Sequence, residues 1–444
     1  MTTRCFGSRA GAACAGALLL TAAMPASAQQ RDPIGQGLAV AMKQAVMQAA
    51  ASDAVGEPAP QDKPPADQPA DKDKDKDKDK NPLLKFFDGT ELSGFVDVYY
   101  AYNFNKPQAP CAVLGEVKMF NCLHNFDFAH NSFALNLAEL ALEKKPTNDA
   151  RIGYRIDFDY GPAAAWIHGV EPGGTTVFQN IEQAYVSYLA PVAKGSLQFD
   201  FGEFVTPAGN EVIETKDNWN YTRSLLFSLA IPYYHMGIRT TWSPNDKYTV
   251  TGFVFNGWND AVDNNTGKSL GISLTAKPNA AWTLTENYIG GPEQPNSNSG
   301  WRHLSDTVVG YTVDKMTSVA LNYDYGHDVA MDQTWQGIAL NLKYQANDWF
   351  AVSPRYEWTN DACTSLPGAM PGAPCVAFMT GVDQHVQEFT LTTEFKHKDG
   401  LIMRIEYRGD FASTPFFIKS NGETSKSQNE LLIGWIYAFS TKMP

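Results

Sequence analysis

Between residues 90 and 439 the chain repeats, about sixteen times, a segment of roughly ten residues whose alternate positions are apolar, each closed by a turn. Successive side chains of a strand point to opposite faces, so every such segment has one apolar side and one polar side. Residues 151–160 show it best: Ile152, Tyr154, Ile156, Phe158 and Tyr160 alternate with Arg151, Gly153, Arg155, Asp157 and Asp159. Residues 91–104 set Leu92, Val96, Val98, Tyr100, Tyr102 and Phe104 against Glu91, Ser93, Asp97 and Asn103. The division recurs over 318–326, 350–358, 388–396 and 401–408, the last with Leu401, Met403, Ile405 and Tyr407 opposite Arg404, Glu406 and Arg408. A central Arg or Lys on a lipid-facing strand costs roughly 2–4 kcal/mol, so the charged sides must look to water. Residues 132–144 lose phase near Glu139, which predicts a bulge there.

The connections alternate too. Short turns at Ser243-Pro244-Asn245-Asp246, Lys277-Pro278-Asn279-Ala280, Val313-Asp314-Lys315, Gln345-Ala346-Asn347 and Lys396-His397-Lys398-Asp399-Gly400 separate longer loops over 105–131, 162–179, 205–232, 258–267, 291–301, 327–332, 360–384 and 411–427. This pattern predicts an all-β fold, a transmembrane antiparallel up-and-down β-barrel of about sixteen strands with short periplasmic turns and long outer loops. Tyr99-Tyr100, Tyr233-Tyr234 and Trp349-Phe350 stand where aromatic girdle residues belong, and Ile433, Trp435, Tyr437 and Phe439 form an aromatic-ended final strand. A soluble sandwich shares the alternation but not the loop asymmetry or the girdles.

The expected organisation is a signal peptide over 1–28, a short amphipathic periplasmic helix over 29–55, a disordered Pro/Asp/Lys linker over 56–89 and the barrel over 90–444. Arg4 and Arg9, the apolar run from Ala10 to Ala23 and the Ala26-Ser27-Ala28 cleavage site carry the first assignment. Ile34, Leu38, Met42, Val46 and Ala49 fall near one helix face, and the strict Asp-Lys alternation from Asp71 to Lys80 can form no core. The export signal with no run near ~20 apolar residues places the barrel in the outer membrane of a Gram-negative bacterium, with lipid as its solvent. Charged residues are 19% of the chain, below the roughly 25% of soluble domains, which favours one large β unit. A net charge of -13 excludes nucleic acid, whose binders need a basic face.

Chemistry is sparse. No Gly-rich phosphate loop, HExxH, CxxC or Gly-x-Ser-x-Gly is present, so no enzyme, cofactor or metal site is expected. Beyond the signal the cysteines are local pairs, Cys111–Cys122 and Cys363–Cys375, which in an oxidising compartment read as loop disulfides; the spacings match no zinc pattern and His124 has no His or Cys company. On the strand register Arg151, Arg155, Asp157, Asp159, His235, Arg239, Lys343, Arg355, Glu357, Arg404, Glu406 and Arg408 are expected to line the pore. Asp97, Asp324, Glu388 and Glu394 project the same way, and such opposed rows set a transverse field. The third outer loop carries Glu211, Glu214, Lys216, Asp217 and Arg223, expected to form a constriction, before the apolar run from Leu225 to Pro232. That run must bury itself, either against the inner wall or on a neighbouring subunit.

Four stretches then resemble a known family. Leu92-Ser93-Gly94-Phe95-Val96-Asp97-Val98-Tyr99-Tyr100-Ala101-Tyr102-Asn103-Phe104-Asn105-Lys106-Pro107, Glu143-Lys144-Lys145-Pro146, Arg151-Ile152-Gly153-Tyr154-Arg155-Ile156-Asp157 and Tyr221-Thr222-Arg223-Ser224-Leu225-Leu226-Phe227 leading to Ile231-Pro232-Tyr233-Tyr234-His235-Met236-Gly237 are similar to the β-barrel porin-2 group. The resemblance covers about residues 91–439 and implies an outer-membrane channel. The expected function is therefore passive diffusion of small hydrophilic solutes or ions, with a homo-oligomer as the analogy from porin-like barrels. The alternative is a surface adhesin or receptor whose barrel anchors stapled loops.

Overall fold

The computed structural model describes residues 87–169, 171, 179–364 and 375–441. The signal, helix and most of the linker expected before the barrel lie outside the described residues.

Sixteen antiparallel strands close into one barrel. In chain order they are β1 (Glu91–Asn103), β2 (Ser132–Lys144), β3 (Ile152–Tyr160), β4 (Ile181–Ala190), β5 (Ser196–Val205), β6 (Tyr234–Asn245), β7 (Tyr248–Phe255) and β8 (Ser269–Ala276). β9 (Trp282–Gln294), β10 (Ser297–Thr312), β11 (Thr317–Asp328), β12 (Gln333–Asn347), β13 (Phe350–Cys363), β14 (Gln384–Lys396), β15 (Leu401–Ala412) and β16 (Ser427–Ser440) complete the wall. Neighbours in sequence are neighbours in space, and the seam is β1 on β16, paired from Ser93↔Ser440 to Asn103↔Glu430. The alternation of residue types is the alternation of environments. On β16 Leu431, Ile433, Trp435 and Tyr437 are exposed on the outer surface while Glu430, Leu432, Gly434 and Ile436 are buried inside. Ile152 and Ile405 likewise face out, with Asp157, Asn322, Arg404 and Glu406 in.

Three expectations about the wall need correction. The register of β2 against β1 skips from Leu137 to Leu135, so the bulge is at Asn136 and not near Glu139. Both Asn136 and Leu137 are thereby turned inward, and Glu139 is back in phase. Residues 291–301 are no loop: β9 and β10 extend until only Pro295 and Asn296 separate them, Asn296 taking the left-handed φ of 59° that Asn tolerates. Finally, Trp349 faces the surroundings as a girdle residue, but Tyr99, Tyr233 and Tyr234 are buried inside the barrel.

The inside is filled from the outer end. The first outer loop, L1 (residues 104–131), carries the small hairpin Ala112–Leu114 with Val117–Met119 and is closed by the Cys111–Cys122 disulfide, Cα–Cα 5.7 Å. The second holds helix α1 (Pro162–Gly169), whose His168 stacks on Tyr234 at 4.5 Å. The third, L3 (residues 206–233), enters the lumen. Cys363 and Cys375 join across the loop after β13, Cα–Cα 5.8 Å.

Candidate channel and the loop inside it

L3 leaves β5 and crosses the inner face of the opposite wall. Asn287 donates to Pro207 O at 3.1 Å, Asp306 accepts from Gly209 N at 3.0 Å and Asn322 Oδ1 from Asn210 N at 3.1 Å. A short 3-10 turn, Thr215–Asp217, brings the loop to β1, where Asp97 accepts from the Thr215 hydroxyl at 2.5 Å and the Tyr221 hydroxyl at 2.6 Å. The apolar run then coils as a π-turn, Leu226–Ala230, and docks on the wall, where Trp335 Nε1 donates to Ala230 O at 2.9 Å. Leu225, Leu226, Phe227 and Ile231 are buried, so the run satisfies its need for burial within its own barrel.

The charged wall of β13 to β15 is what holds it. Arg404 donates to three carbonyls of the loop, Thr215 O at 2.7 Å, Asn220 O at 2.9 Å and Asn218 O at 2.5 Å, and pairs with Glu394 at 2.6 Å. Arg355 donates to Thr222 O at 2.7 Å and pairs with Glu211 at 2.7 Å and Glu388 at 3.0 Å. Arg408 donates to Arg223 O at 2.7 Å and pairs with Asp410 at 3.0 Å. The carboxylates answer the loop's N–H groups: Glu406 accepts from Tyr221 N at 2.5 Å and Thr222 N at 2.9 Å, Glu357 from Leu225 N at 2.7 Å and Leu226 N at 3.2 Å. A loop inside a barrel has no sheet to satisfy its backbone, and leaving those groups unmet costs about 1–3 kcal/mol each, so wall charges take the place of a strand.

This geometry revises the expected roles. Arg355, Glu357, Arg404, Glu406 and Arg408 point inward, but each is at most 1% exposed and ends on the loop, not on open water. Arg223 is equally buried: its guanidinium braces L3 from within, on Val212 O, Ile213 O, Tyr221 O and the Thr215 hydroxyl, 4.4 Å over the Phe126 ring. Glu211 accepts from Ser224 N at 2.7 Å besides its Arg355 pair. Asp217 is exposed and Lys216 and Glu214 half-buried, leaving these three as the loop charges that meet solvent. Asp157 and Asp159 are buried, and His235 is sealed between Phe204 and Phe255 with Nδ1 on Gly257 O at 3.3 Å. Arg151 lies just before β3, bonded to Leu189 O at 3.1 Å. Arg155, Arg239 and Lys343 remain half-buried, paired with Asp157 at 2.7 Å, Asp200 at 2.8 Å and Glu394 at 3.4 Å.

The other side of the barrel is different. The inner faces of β5 to β9 present Gln198, Arg239, Thr241, Ser273, Thr275 and Thr285, all half-buried. Among the described residues a recess of about 280 Å³ opens there between Gln198, Asp200, Arg239, Thr241, Thr251 and Ser273. It is a wall of hydroxyls and one amide, in which the single arginine is paired with Asp200.

The family described as "Putative beta-barrel porin-2, OmpL-like" matches residues 89–439. The chain belongs to that porin family. This porin resides in the outer membrane, and neither family nor fold supports the adhesin alternative. No curated protein matches its sequence. Similar solved structures include the anion-selective porin from Comamonas acidovorans, 10% identical with a TM-score of 0.50 over 79% of this chain and 99% of that one. The outer membrane channel DcaP of Acinetobacter baumannii and OmpT of Vibrio cholerae each align at 12% identity and a TM-score of 0.48, over 79% of this porin and 97% of theirs. The likeness is one of fold. Sequence reasoning missed two parts of the porin's interior: Tyr221, whose ring lies where a Cβ on Gly434 would come within 2.3 Å, and the anchoring of L1. In L1, His124 bonds Asp127 with Nδ1 and Asp410 with Nε2 at 2.9 Å, while Gln428 holds Cys122 O at 2.7 Å. A lone histidine in a loop gave no hint of that second partner on β15.

Proposed function

We propose that this porin passes small hydrophilic solutes and ions along the hydroxyl wall of β5 to β9, with L3 as a fixed partition that narrows the lumen from the other side. The single observation that carries the reading is the contrast in exposure between the two inner walls: half-buried Gln198, Arg239, Thr241, Ser273 and Thr275 against Arg355, Glu357, Arg404 and Glu406 sealed under the loop. Charges of both signs still meet water, among them Arg155, Lys216, Arg239 and Lys343 beside Glu143, Glu214 and Asp217, so ion preference is weak. Planar-bilayer recording of the refolded protein should give stepwise currents of low unit conductance. Insertion without any conductance would overturn the reading.

A homo-oligomer belongs to the same proposal. On the outer surface of β9, Glu286 lies between Leu284 and Tyr288, its carboxylate accepting from Ser305 at 2.8 Å and Thr307 at 2.5 Å on β10. A polar cluster among apolar neighbours on a hydrocarbon-facing wall is better placed against protein than lipid. With Ser305→Cys, oxidation or a bifunctional thiol-to-amine cross-linker in membranes should give covalently linked subunits on non-reducing gels, a dimer in the case of the disulfide; a band that stays monomeric under both treatments removes this face from any subunit contact.

A further inference from the structure

Three carboxylates meet on the inner wall where β2, β3 and β4 adjoin. Glu139 and Asp159 are cross-strand partners. Glu182 joins them because β4 skips register opposite Asp157 and Phe158, from Gln183 to Ile181. By alternation Glu182 would share the outer face with Val186, which is 58% exposed; the bulge turns it inward instead. One oxygen from each of the three lies within 4.8 Å of the others.

The residues are 6%, 1% and 1% exposed in the order Glu139, Asp159 and Glu182. Yet among the described residues Glu139 Oε2, Asp159 Oδ1 and both oxygens of Glu182 accept from no donor outside the cluster, and Asp159 and Glu182 lie against each other. The cations of this corner are committed elsewhere: Arg155 Nε sits on Asp157 Oδ2 at 2.7 Å, and Lys216 pairs with Asp217. Asp157 Oδ1 is itself unpartnered, and Glu214 of L3 approaches Arg155 at 4.0 Å, which adds negative charge to the corner. The contrast with the charged wall of β13 to β15, the clamp on L3, is direct, since Glu357, Glu388, Glu394 and Glu406 all accept bonds there.

We propose that Glu139, Asp159 and Glu182 form a site for a hard divalent cation of the calcium class, built into the barrel wall. A buried carboxylate group stays charged only when paired or coordinated, and this one has oxygens free and nothing but oxygens to offer. The absence of thiol and imidazole from the triad argues for calcium over zinc. Oxygens around a calcium ion, bound at about 2.3–2.6 Å, lie up to about 5 Å apart, so a set within 4.8 Å of one another can share one ion; magnesium gives up its water reluctantly and favours one or two carboxylates over a dedicated all-protein cage. Glu182 with both oxygens free can bind in bidentate fashion, and water completes the shell. The ion would tie together three strands at the point where two of them, β2 and β4, are bulged.

The test is calorimetric titration of CaCl2 into the refolded full chain after chelation, with MgCl2 as a second arm and TbCl3 luminescence as an independent probe. One ion per barrel is expected, with calcium preferred at least tenfold over magnesium and a higher thermal midpoint in calcium. Glu139→Gln with Glu182→Gln should abolish binding, and in calcium-free buffer that variant should be at least as stable as the parent because like charges are removed. Asp246→Asn, at an exposed carboxylate in the turn between β6 and β7, should bind as the parent does. A folded parent that takes up neither calcium nor terbium at millimolar concentration, or a double variant that still binds, overturns the site. Neither readout depends on whether the barrel conducts.

Discussion

The two inner walls of this barrel use polar residues to opposite ends. Along β13 to β15 strong charges face each other, every one engaged with L3 or a neighbour, so their field is spent on backbone groups a few ångströms away. Along β5 to β9 the groups are mostly neutral hydroxyls, and they remain open. The difference teaches that counting lumen charges does not give ion selectivity. A charge acts on permeating ions only from a water-filled space, and the more charged wall here is the drier one.

The comparison breaks most visibly if the clamp is cut. Arg404→Ala removes the donor to three loop carbonyls and leaves Glu394 short of its closest partner. Breaking a buried pair costs about 3–5 kcal/mol, enough to undock L3, so single-channel conductance should rise markedly while the folded barrel keeps its heat-sensitive gel mobility. Unchanged conductance would mean the loop is held without the charged wall.

A second test concerns L1. Burial and Arg408 both push the His124 imidazole down, but Asp127 and Asp410 more than reverse this and hold it above the usual histidine value. A raised folded value means that the latch is at full strength below about pH 6.5, the ordinary histidine value, and is lost as pH rises through the shifted one. Protease cleavage within residues 104–131 should therefore increase with pH in the parent protein. His124→Gln should be cleaved readily at every pH, through loss of charge-assisted bonds worth roughly 1.5–3 kcal/mol. A flat profile in the parent would show that L1 does not depend on that proton.

How much of this was legible beforehand divides along the same line. Lipid outside and polar contents inside impose opposite chemistry on alternate residues, so Ile152, Ile405, Asp157 and Glu406 could be assigned to faces from period alone. What lies opposite an inward charge leaves no mark on the period: Arg404 on a carbonyl and Arg239 beside a recess read identically. The apolar run from Leu225 to Pro232 did signal that L3 must bury itself, yet Arg223 beside it looked like a channel charge because nothing in one sequence says that it bonds its own loop. Bulges were the other blind spot, since one extra residue moved the phase break to Asn136 and reversed Glu182.

The smallest expected effect sharpens the open wall. Arg239 pairs with Asp200 and lies over the Tyr185 and Phe204 rings at 5.1 and 4.8 Å. Arg239→Ala uncovers Asp200 beside the recess and should move the reversal potential modestly toward cations with little change in conductance. No movement would place the ion path away from β5 to β9.

Tyr221 has a consequence for how the molecule is completed. Its hydroxyl is bonded to Asp97 on β1, its N–H to Glu406 on β15, and its ring occupies the space left by Gly434 on β16. One residue thus fastens the first strand to the last two, across the joint where the ends of the wall meet. That fastening has no counterpart in a half-built wall, because its three attachment points come together only when the final strand has been added. L3 therefore acts as a bolt that can be thrown only on a closed door, and a side chain at position 434 would leave the barrel shut but unbolted.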